Sequence, residues 1–222
     1  QAIMHGQDLM ALEGNYEHED GTPECIHCGL KRGQKKVLRR GKKAYRRLAE
    51  HIGLIPIVTV SPADQWLIAG GSEERRRFMD IIISQYNPVY LDALTRYNKA
   101  LQQRNALLKQ EEEPDDDLLA LLEEEMARVG TYIYGERQKY VEHFTPTFQS
   151  FYSLISQEKE SVSLTYTSHG QRGDLLEVIR RDRAKDRAVG YSLHGTHRDD
   201  LEMLMGGFPI RREGSQGQNK TY

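Results

Sequence analysis

From residue 88 to residue 144 the apolar residues recur at spacings of three, four and seven, and one acidic break at 114–117 interrupts them. That period belongs to the α-helix, where residues three and four apart share a face. Pro88 opens one helix, with Leu91, Leu94, Tyr97, Leu101 and Leu108 along its stripe. Pro114 and the Asp115-Asp116-Asp117 run restart the chain as another, with Leu119, Leu122, Met126, Val129, Ile133, Tyr140 and Phe144. Pro146 is expected to end or kink it. Two long helices joined by a short turn make an antiparallel helical hairpin, an arm. A shorter helix precedes them, N-capped by Ser72, with Glu73 and Glu74 in its first turn and Phe78, Ile81 and Ile82 on its apolar face. Such regular stripes indicate core packing rather than an active site.

Strand signals flank the helices. Turn pairs at Gly14-Asn15, Asp20-Gly21 and Arg40-Gly41 punctuate residues 1–60 into short segments, including 24–30 and 34–39. A short helix fits 44–51, stopped by Gly53. The nearly continuous β-branched run 55–60 predicts a strand buried on both faces. Beyond the arm, 161–167 alternates, with Val162, Leu164 and Tyr166 on one face, and 174–183 reads as an amphipathic helix. Short strands are expected at 191–194 and 201–205, the second turned by Gly206-Gly207 into another at 208–212. The fold class is therefore α/β of the mixed α+β kind, a strand-rich head with an inserted helical arm. It divides into residues 1–70, 71–156 and 157–222.

Composition narrows the function. In 222 residues, charged side chains make up 29% and no apolar run approaches the 18 or so residues of a membrane helix. No basic-then-apolar signal segment opens the chain. Two cysteines supply no disulfide framework and fit a reducing compartment. The net charge of -2 excludes a uniformly basic nucleic-acid binder, so any such surface must be local. Charge is in fact segregated. Residues 31–47 carry ten cations and no acid, while 111–125 carry nine acids and no cation. The chain opens on Gln1 and stops just after a Gly-rich turn, which reads as an internal piece of a longer protein.

Four stretches carry candidate chemistry. Cys25-Ile26-His27-Cys28 has no second cysteine pair, and on a strand positions 25 and 28 face opposite sides. Half-buried thiols fit it better than structural zinc, although His5, His18 and His27 could supplement it. His194-Gly195-Thr196-His197-Arg198-Asp199-Asp200 is the densest polar cluster. His194, His197, Asp199 and Asp200 could hold a metal and activate water in a metal-dependent hydrolase. The other reading is a network that fixes a strand end, with Arg198 facing phosphate. Residues 214–221 come within one residue of a phosphate loop, but Asn219 stands where its last Gly belongs and no apolar strand precedes it. Gly214-Ser215-Gln216-Gly217-Gln218 fits instead a turn opening a helix, whose N–H groups and Ser hydroxyl can meet an anion. Finally, the cations of 31–47, among them Lys35, Lys36, Arg39, Arg40, Lys42 and Lys43, favour a polyanion and make nucleic acid their natural partner. Only Tyr45 interleaves them, so contact to the backbone is better supported than stacking on bases.

Taken together, the chain resembles the RecF family of bacterial DNA replication and recombinational repair proteins, within the ABC/SMC-like ATPases. The matching residues are Ser61-Pro62-Ala63-Asp64, Gly70-Gly71-Ser72-Glu73-Glu74-Arg75-Arg76-Arg77-Phe78-Met79-Asp80 and Leu101-Gln102-Gln103-Arg104-Asn105-Ala106-Leu107-Leu108-Lys109. Gly195-Thr196-His197-Arg198-Asp199-Asp200-Leu201 and Gly214-Ser215-Gln216-Gly217-Gln218 complete the set. The resemblance implies a partial ATPase head whose phosphate loop lies before residue 1 and whose Walker B carboxylates lie after residue 222. It implies ATP with Mg²⁺ in the full-length protein, sandwiched in an ATP-dependent homodimer. There Ser215 and the Gly217 backbone of the signature motif would touch a γ-phosphate held by the partner subunit. His197, Arg198, Asp199 and Asp200 would belong to a phosphate or interface network. The same resemblance implies slow DNA-stimulated ATPase activity, single-stranded or junction DNA and the RecO and RecR proteins as partners. It also implies a role in recombinational repair and the SOS response, and a cytoplasmic, nucleoid-associated location. This chain alone is expected neither to hydrolyse ATP nor to hold a cofactor.

Overall fold

A computed structural model describes residues 2–59 and 61–222. It divides the chain into two compact units, 1–56 and 57–222. The first is an antiparallel sheet in the order β1 (Leu9–Glu17), β2 (Pro23–Lys31), β3 (Val37–Arg40) and β4 (Lys43–Ala44). The helix expected over 44–51 shrinks to a 3₁₀ turn at Leu48–His51. Residues 55–59 form no strand. Ile57 is 60% exposed and Val58 91%. A strand buried on both faces needs neighbours on both edges, and no described strand pairs with these residues. Val60, the last residue of that run, lies outside the described residues.

The second unit opens with short turns and α1 (Trp66–Ala69), then α2 (Ser72–Tyr86), α3 (Pro88–Leu108) and α4 (Asp116–Ser156). Gly71, not Ser72, occupies the N-cap position of α2, and it offers no side-chain bond. The buried residues of α2 are Arg75, Met79, Ile83 and Ser84, while Ile81 of the expected stripe is exposed. Arg75, Met79 and Ile83, each four residues apart, form that buried line, and Arg75 is held inward on it by a bidentate ion pair with Asp200. Asn87 caps α3 by accepting from the Tyr90 N–H at 3.0 Å, ahead of Pro88. The buried line of α3 is Tyr90, Ala93, Tyr97, Ala100, Arg104 and Leu108, with Leu94 and Leu101 packed at its flank. Asp115 caps α4 through the Asp117 and Leu118 N–H groups. Leu119, Leu122, Met126, Val129 and Ile133 of the α4 stripe are buried, and Tyr140 and Phe144 pack against the core.

Pro146 does not end α4, which runs on to Ser156. Its ring removes one N–H donor, and nearby the Thr145 hydroxyl donates to the Val141 carbonyl at 2.7 Å. Helices α3 and α4 form the antiparallel hairpin and come close at Gly130. A Cβ there would lie 2.9 Å from a Leu175 methyl and 3.2 Å from the Tyr97 ring.

Strand β5 (Val162–Thr167) follows, with Val162, Leu164 and Tyr166 buried as the alternation predicts. Then come α5 (Leu175–Arg181), capped by Asp174, and α6 (Arg183–Val189). Residues 191–194, expected as a strand, are irregular. Strand β6 (Asp200–Met205) pairs antiparallel with β5 and then with β7 (Phe208–Pro209). The strand expected over 208–212 gives way after two residues to α7 (Ile210–Glu213), and α8 (Gln216–Thr221) closes the described chain. The hairpin does not stand apart from these strands. Met79, Ile83, Tyr97, Met126, Ile133, Leu164, Leu175 and Leu201 share one hydrophobic core. No described helix is long and apolar enough to cross a membrane.

Charge is buried inside this unit. Arg104 is fully buried and pairs with Asp186 at 2.6 Å and Glu123 at 3.0 Å, and donates to the Ser192 hydroxyl at 2.7 Å. Arg183 of α6 reaches the other Glu123 oxygen at 2.6 Å. The Asn105 side-chain oxygen Oδ1 accepts from both the N–H and the hydroxyl of Ser192 at 2.8 Å. These bonds, with the Leu193 N–H donating to Asp186 at 3.0 Å, give two residues of the irregular 191–194 segment the partners that a strand ladder would have supplied. Removing one member leaves the others as uncompensated buried charge. Arg104→Ala should therefore lower stability by about 3–5 kcal/mol in urea unfolding. A loss under about 1 kcal/mol, the level of an exposed ion pair, would show that the network is solvated.

Candidate functional site: the signature turn and its buried support

The segment 195–200 is a strap laid across the hairpin. Gly195 has φ +136°, and a Cβ there would sit 2.1 Å from the Tyr97 hydroxyl, so only glycine fits. A 3₁₀ turn at Thr196–Arg198 follows. Arg137 of α4, 2% exposed, donates to the Thr196 carbonyl and to Asp199 Oδ2, both at 2.8 Å. It also pairs with Asp80 of α2 at 2.9 Å and meets the Tyr90 hydroxyl at 3.0 Å. Tyr166 of β5 donates to the same Asp199 oxygen at 2.5 Å. Burial pushes the Asp199 carboxyl above the usual carboxylate range, and the Arg137 guanidinium offsets part of that rise. Arg75 holds both Asp200 oxygens, at 2.7 and 3.0 Å, and Arg76 donates to the Asp199 carbonyl at 2.7 Å.

The two motifs at 70–80 and 195–201, far apart in sequence, are thus two sides of one clamp. The metal-hydrolase alternative requires His194, His197, Asp199 and Asp200 to converge, and they do not. Asp199 and Asp200 are committed to different arginines. His194 Nε2 lies 2.7 Å from Asp182, and His197 sits between Tyr97 and the Ser192 carbonyl. Among the described residues these four form no ligand cluster. Within 194–200 only Arg198 is exposed, with its guanidinium over the Tyr191 ring at 5.3 Å.

The signature turn hangs from the end of this sheet. Ser215 caps α8 in a reciprocal box. Its hydroxyl accepts from the Gln218 N–H at 3.2 Å, and the Gln218 side-chain oxygen accepts from the Ser215 N–H at 2.7 Å. Gln218 Nε2 donates to Glu160 at 2.6 Å, and Glu160 in turn accepts from the Tyr152 hydroxyl at 2.6 Å. The Tyr222 hydroxyl donates to the Ser163 carbonyl of β5 at 3.0 Å. These bonds tie α8 to the end of α4 and to β5. The two glycines of the turn differ. A Cβ on Gly214 would clash with the Ile210 carbonyl at 2.6 Å, whereas on Gly217 it would meet nothing nearer than the Ser215 hydroxyl oxygen at 3.9 Å. Packing among the described residues therefore requires a glycine at 214 and does not require one at 217. Of Gln216 only the backbone is described. The segment before the turn is helical α7, so the phosphate-loop reading of 214–221 lacks its strand.

In the first unit, Lys35 and Lys36 sit in the β2–β3 turn and Lys42 in the β3–β4 turn, all exposed. Strand alternation sends Arg39 to one face of the sheet and Arg40, paired with Lys43, to the other. Arg40 is bound to Glu24, its Nε 2.7 Å from the carboxylate, and each group stabilises the other's charge. Sequence reasoning missed this partner, and it missed Arg137 and Arg104. A lone arginine on an apolar helical stripe is the one signal that would have found the latter two.

Burial also tunes the strap. His197 Nδ1 lies 2.7 Å from the Tyr97 hydroxyl, and its other ring nitrogen is 3.0 Å from the Ser192 carbonyl. Burial pulls its pKa from 6.5 down to about 4, and burial does the same to His169. A folded-state pKa below the unfolded one means that the unfolded chain binds the extra proton. The contribution is complete above pH 6.5 and lost as pH falls towards 4. It amounts to at most roughly 3 kcal/mol for His197. Urea unfolding at pH 7 and pH 4.5 should show that loss, and His197→Gln should reduce the difference without abolishing it, because His169 remains. Equal stability at the two pH values would exclude a neutral, buried His197.

No protein-family model matches the chain. Over all 222 residues it is 58% identical to the DNA replication and repair protein RecF of Bacteroides fragilis, and likewise to that of Phocaeicola vulgatus. Identity to the RecF of Porphyromonas gingivalis is 48% over 221 residues. The chain spans about 60% of the length of each of these relatives. Two solved structures of the recombination mediator protein RecF in the RecFOR pathway also match. One, described as RecF-ATP, has a TM-score of 0.92 at 28% identity, and the other, RecF-ATPrS, 0.91 at 27%. Each match covers 99% of this chain and 61% or 62% of that one. In sequence and in mixed α/β fold, the chain corresponds along its whole length to a segment of the RecF proteins.

Proposed function

We propose that the chain is the central part of a RecF-like, ATP-dependent DNA-binding protein of replication, recombinational repair and the SOS response. The observation that carries this reading is the contrast within the signature turn. Gly214 is required by its own fold, while a Cβ on Gly217 would meet no described atom nearer than 3.9 Å, beside an exposed Ser215. A glycine that its described neighbours do not require leaves room for the close approach of another group. In this reading that is a nucleotide γ-phosphate held by a second subunit, contacted by the Ser215 hydroxyl and the Gly217 backbone. Gln218 belongs to the same turn and holds it through the capping box. ATP with Mg²⁺ supplies the charge that joins the subunits, and the phosphate loop and Walker B carboxylates come from outside these residues. The strap His197-Arg198-Asp199-Asp200 positions that surface, with exposed Arg198 as its one outward cation. The location is cytoplasmic, at the nucleoid, with RecO and RecR as partners.

Ser215→Arg in the full-length protein should leave folding and monomer ATP binding nearly intact, because Ser215 is exposed and its loss costs about 1 kcal/mol of helix capping. ATP-dependent dimerisation and hydrolysis should both fall sharply. Sedimentation with and without ATP reads this directly. Undiminished dimerisation would place Ser215 away from the interface.

DNA is the proposed ligand of the basic residues Lys35, Lys36, Arg39, Arg40, Lys42 and Lys43. Lys35, Lys36, Arg39 and Lys42 make the cleaner test set, because Arg40 already neutralises Glu24. Changing those four to Ala should weaken DNA binding and flatten the slope of log affinity against log salt by up to about 3–4 for duplex. An unchanged slope would mean that DNA is held elsewhere.

A further inference from the structure

The strand alternation that separates Cys25 from Cys28 brings Cys25 onto the same face as His27. The register of β1 on β2 sets Glu13 directly opposite His27 on that face. Cys25 Sγ lies 3.3 Å from His27 Nε2, and His27 Nδ1 lies 3.2 Å from a Glu13 oxygen. One ligand atom from each residue falls within 4.8 Å of the other two. No other group of three such side chains does so among the described residues.

We propose that Glu13, Cys25 and His27 form a binding site for a borderline-soft divalent metal ion of the zinc class, with solvent in the fourth position. One thiolate, one imidazole and one carboxylate is a donor set that suits zinc and excludes magnesium or calcium, which take oxygen. The spacing is close to what the ion needs. Tetrahedral zinc with ordinary Zn–S and Zn–N bonds holds its sulfur and nitrogen ligands roughly 3.6 Å apart. The Cys25–His27 edge is already near that distance without any backbone change. Both residues are half-buried on a paired strand, which fixes their directions. Glu13 is exposed, so its carboxylate can leave the His27 ring and move onto the ion. On binding, the Cys25 thiol proton passes to solvent and the S–metal bond forms, with no redox change. Two groups compete. Asn15 donates to Glu13 at 3.3 Å, and Arg39 lies opposite His27 on β3, where its exposed guanidinium can turn to water.

Cobalt(II) is the probe, because a thiolate-to-cobalt charge-transfer band in the near ultraviolet reports the Sγ–metal bond itself. Titration of the 222-residue chain under reducing conditions should saturate at one ion per chain, and zinc should displace it. Cys25→Ser should abolish the band. His27→Ala and Glu13→Gln should each weaken cobalt affinity about tenfold or more. Cys28→Ser, across the sheet in register with Leu12, should change neither band nor affinity. Far-UV circular dichroism and the metal-free unfolding midpoint of each variant establish that it is folded. The proposal is overturned if the folded parent gives no thiolate band. It is equally overturned if the band survives Cys25→Ser, or if a folded Cys28→Ser loses it too.

Discussion

The second unit is organised around one buried guanidinium. Arg137 sits on α4 and satisfies its donors on α2 through Asp80, on α3 through Tyr90, and on the strap through Thr196 and Asp199. Three helices and the segment leading into β6 meet at this one side chain. A buried charge is tolerated only where its partners surround it, so these elements cannot be placed independently. Asp199 is also bonded to Tyr166 of β5, which extends the same constraint into the sheet. Below it, Arg104 does the same for α3, α4, α6 and the irregular segment at Ser192. Two buried arginines therefore lie on the same helical hairpin, one on each helix, and each pins a different loop.

This arrangement changes what the polar motifs mean. The cluster at 194–200 has the composition of a metal site but the geometry of a fastening. Asp199 and Asp200 are both spent on arginines, and the histidines face other partners. The signature turn is the opposite case. Its capping box and its links to Glu160 and the β5 carbonyl fix its position, yet Ser215 remains exposed and no described atom comes within 3.9 Å of where a Gly217 Cβ would lie. A rigidly held but outward-facing turn is what an interaction surface requires, since little order is left to be imposed on binding.

Much of the architecture was legible in the chain. The hairpin, its starts at Pro88 and at the Asp115–Asp117 run, the alternation of β5 and the helix start at Ser215 all follow from local rules of period and capping. Of the face expected for α2, Phe78 packs against the core but Ile81 is exposed, because the buried line runs through Arg75, Met79 and Ile83 and Arg75 is held there by Asp200. Residues 55–59 were misread because a β-branched run states a preference for strand and cannot supply its neighbours. Pro146 does not end α4, because one missing N–H does not outweigh the packing of a 41-residue helix.

The candidate sites divide in the same way. Residue types at Gly214–Gln218, at 194–200 and in the basic run were visible in the sequence, since composition and spacing are local properties. Partner choice was not. Whether Asp199 faces a metal or Arg137 depends on a residue 62 positions away, and whether Arg40 is available depends on Glu24 across a strand pair. Likewise, Cys25 meets Glu13 only through the register of β1 on β2. The sequence by itself determined the helical hairpin, the alternation of β5 and the turn that opens α8, because those energies act over three or four residues. The tertiary structure alone decided which charges are spent and which remain, because a charge pairs with whatever the packed backbone brings within about 4 Å.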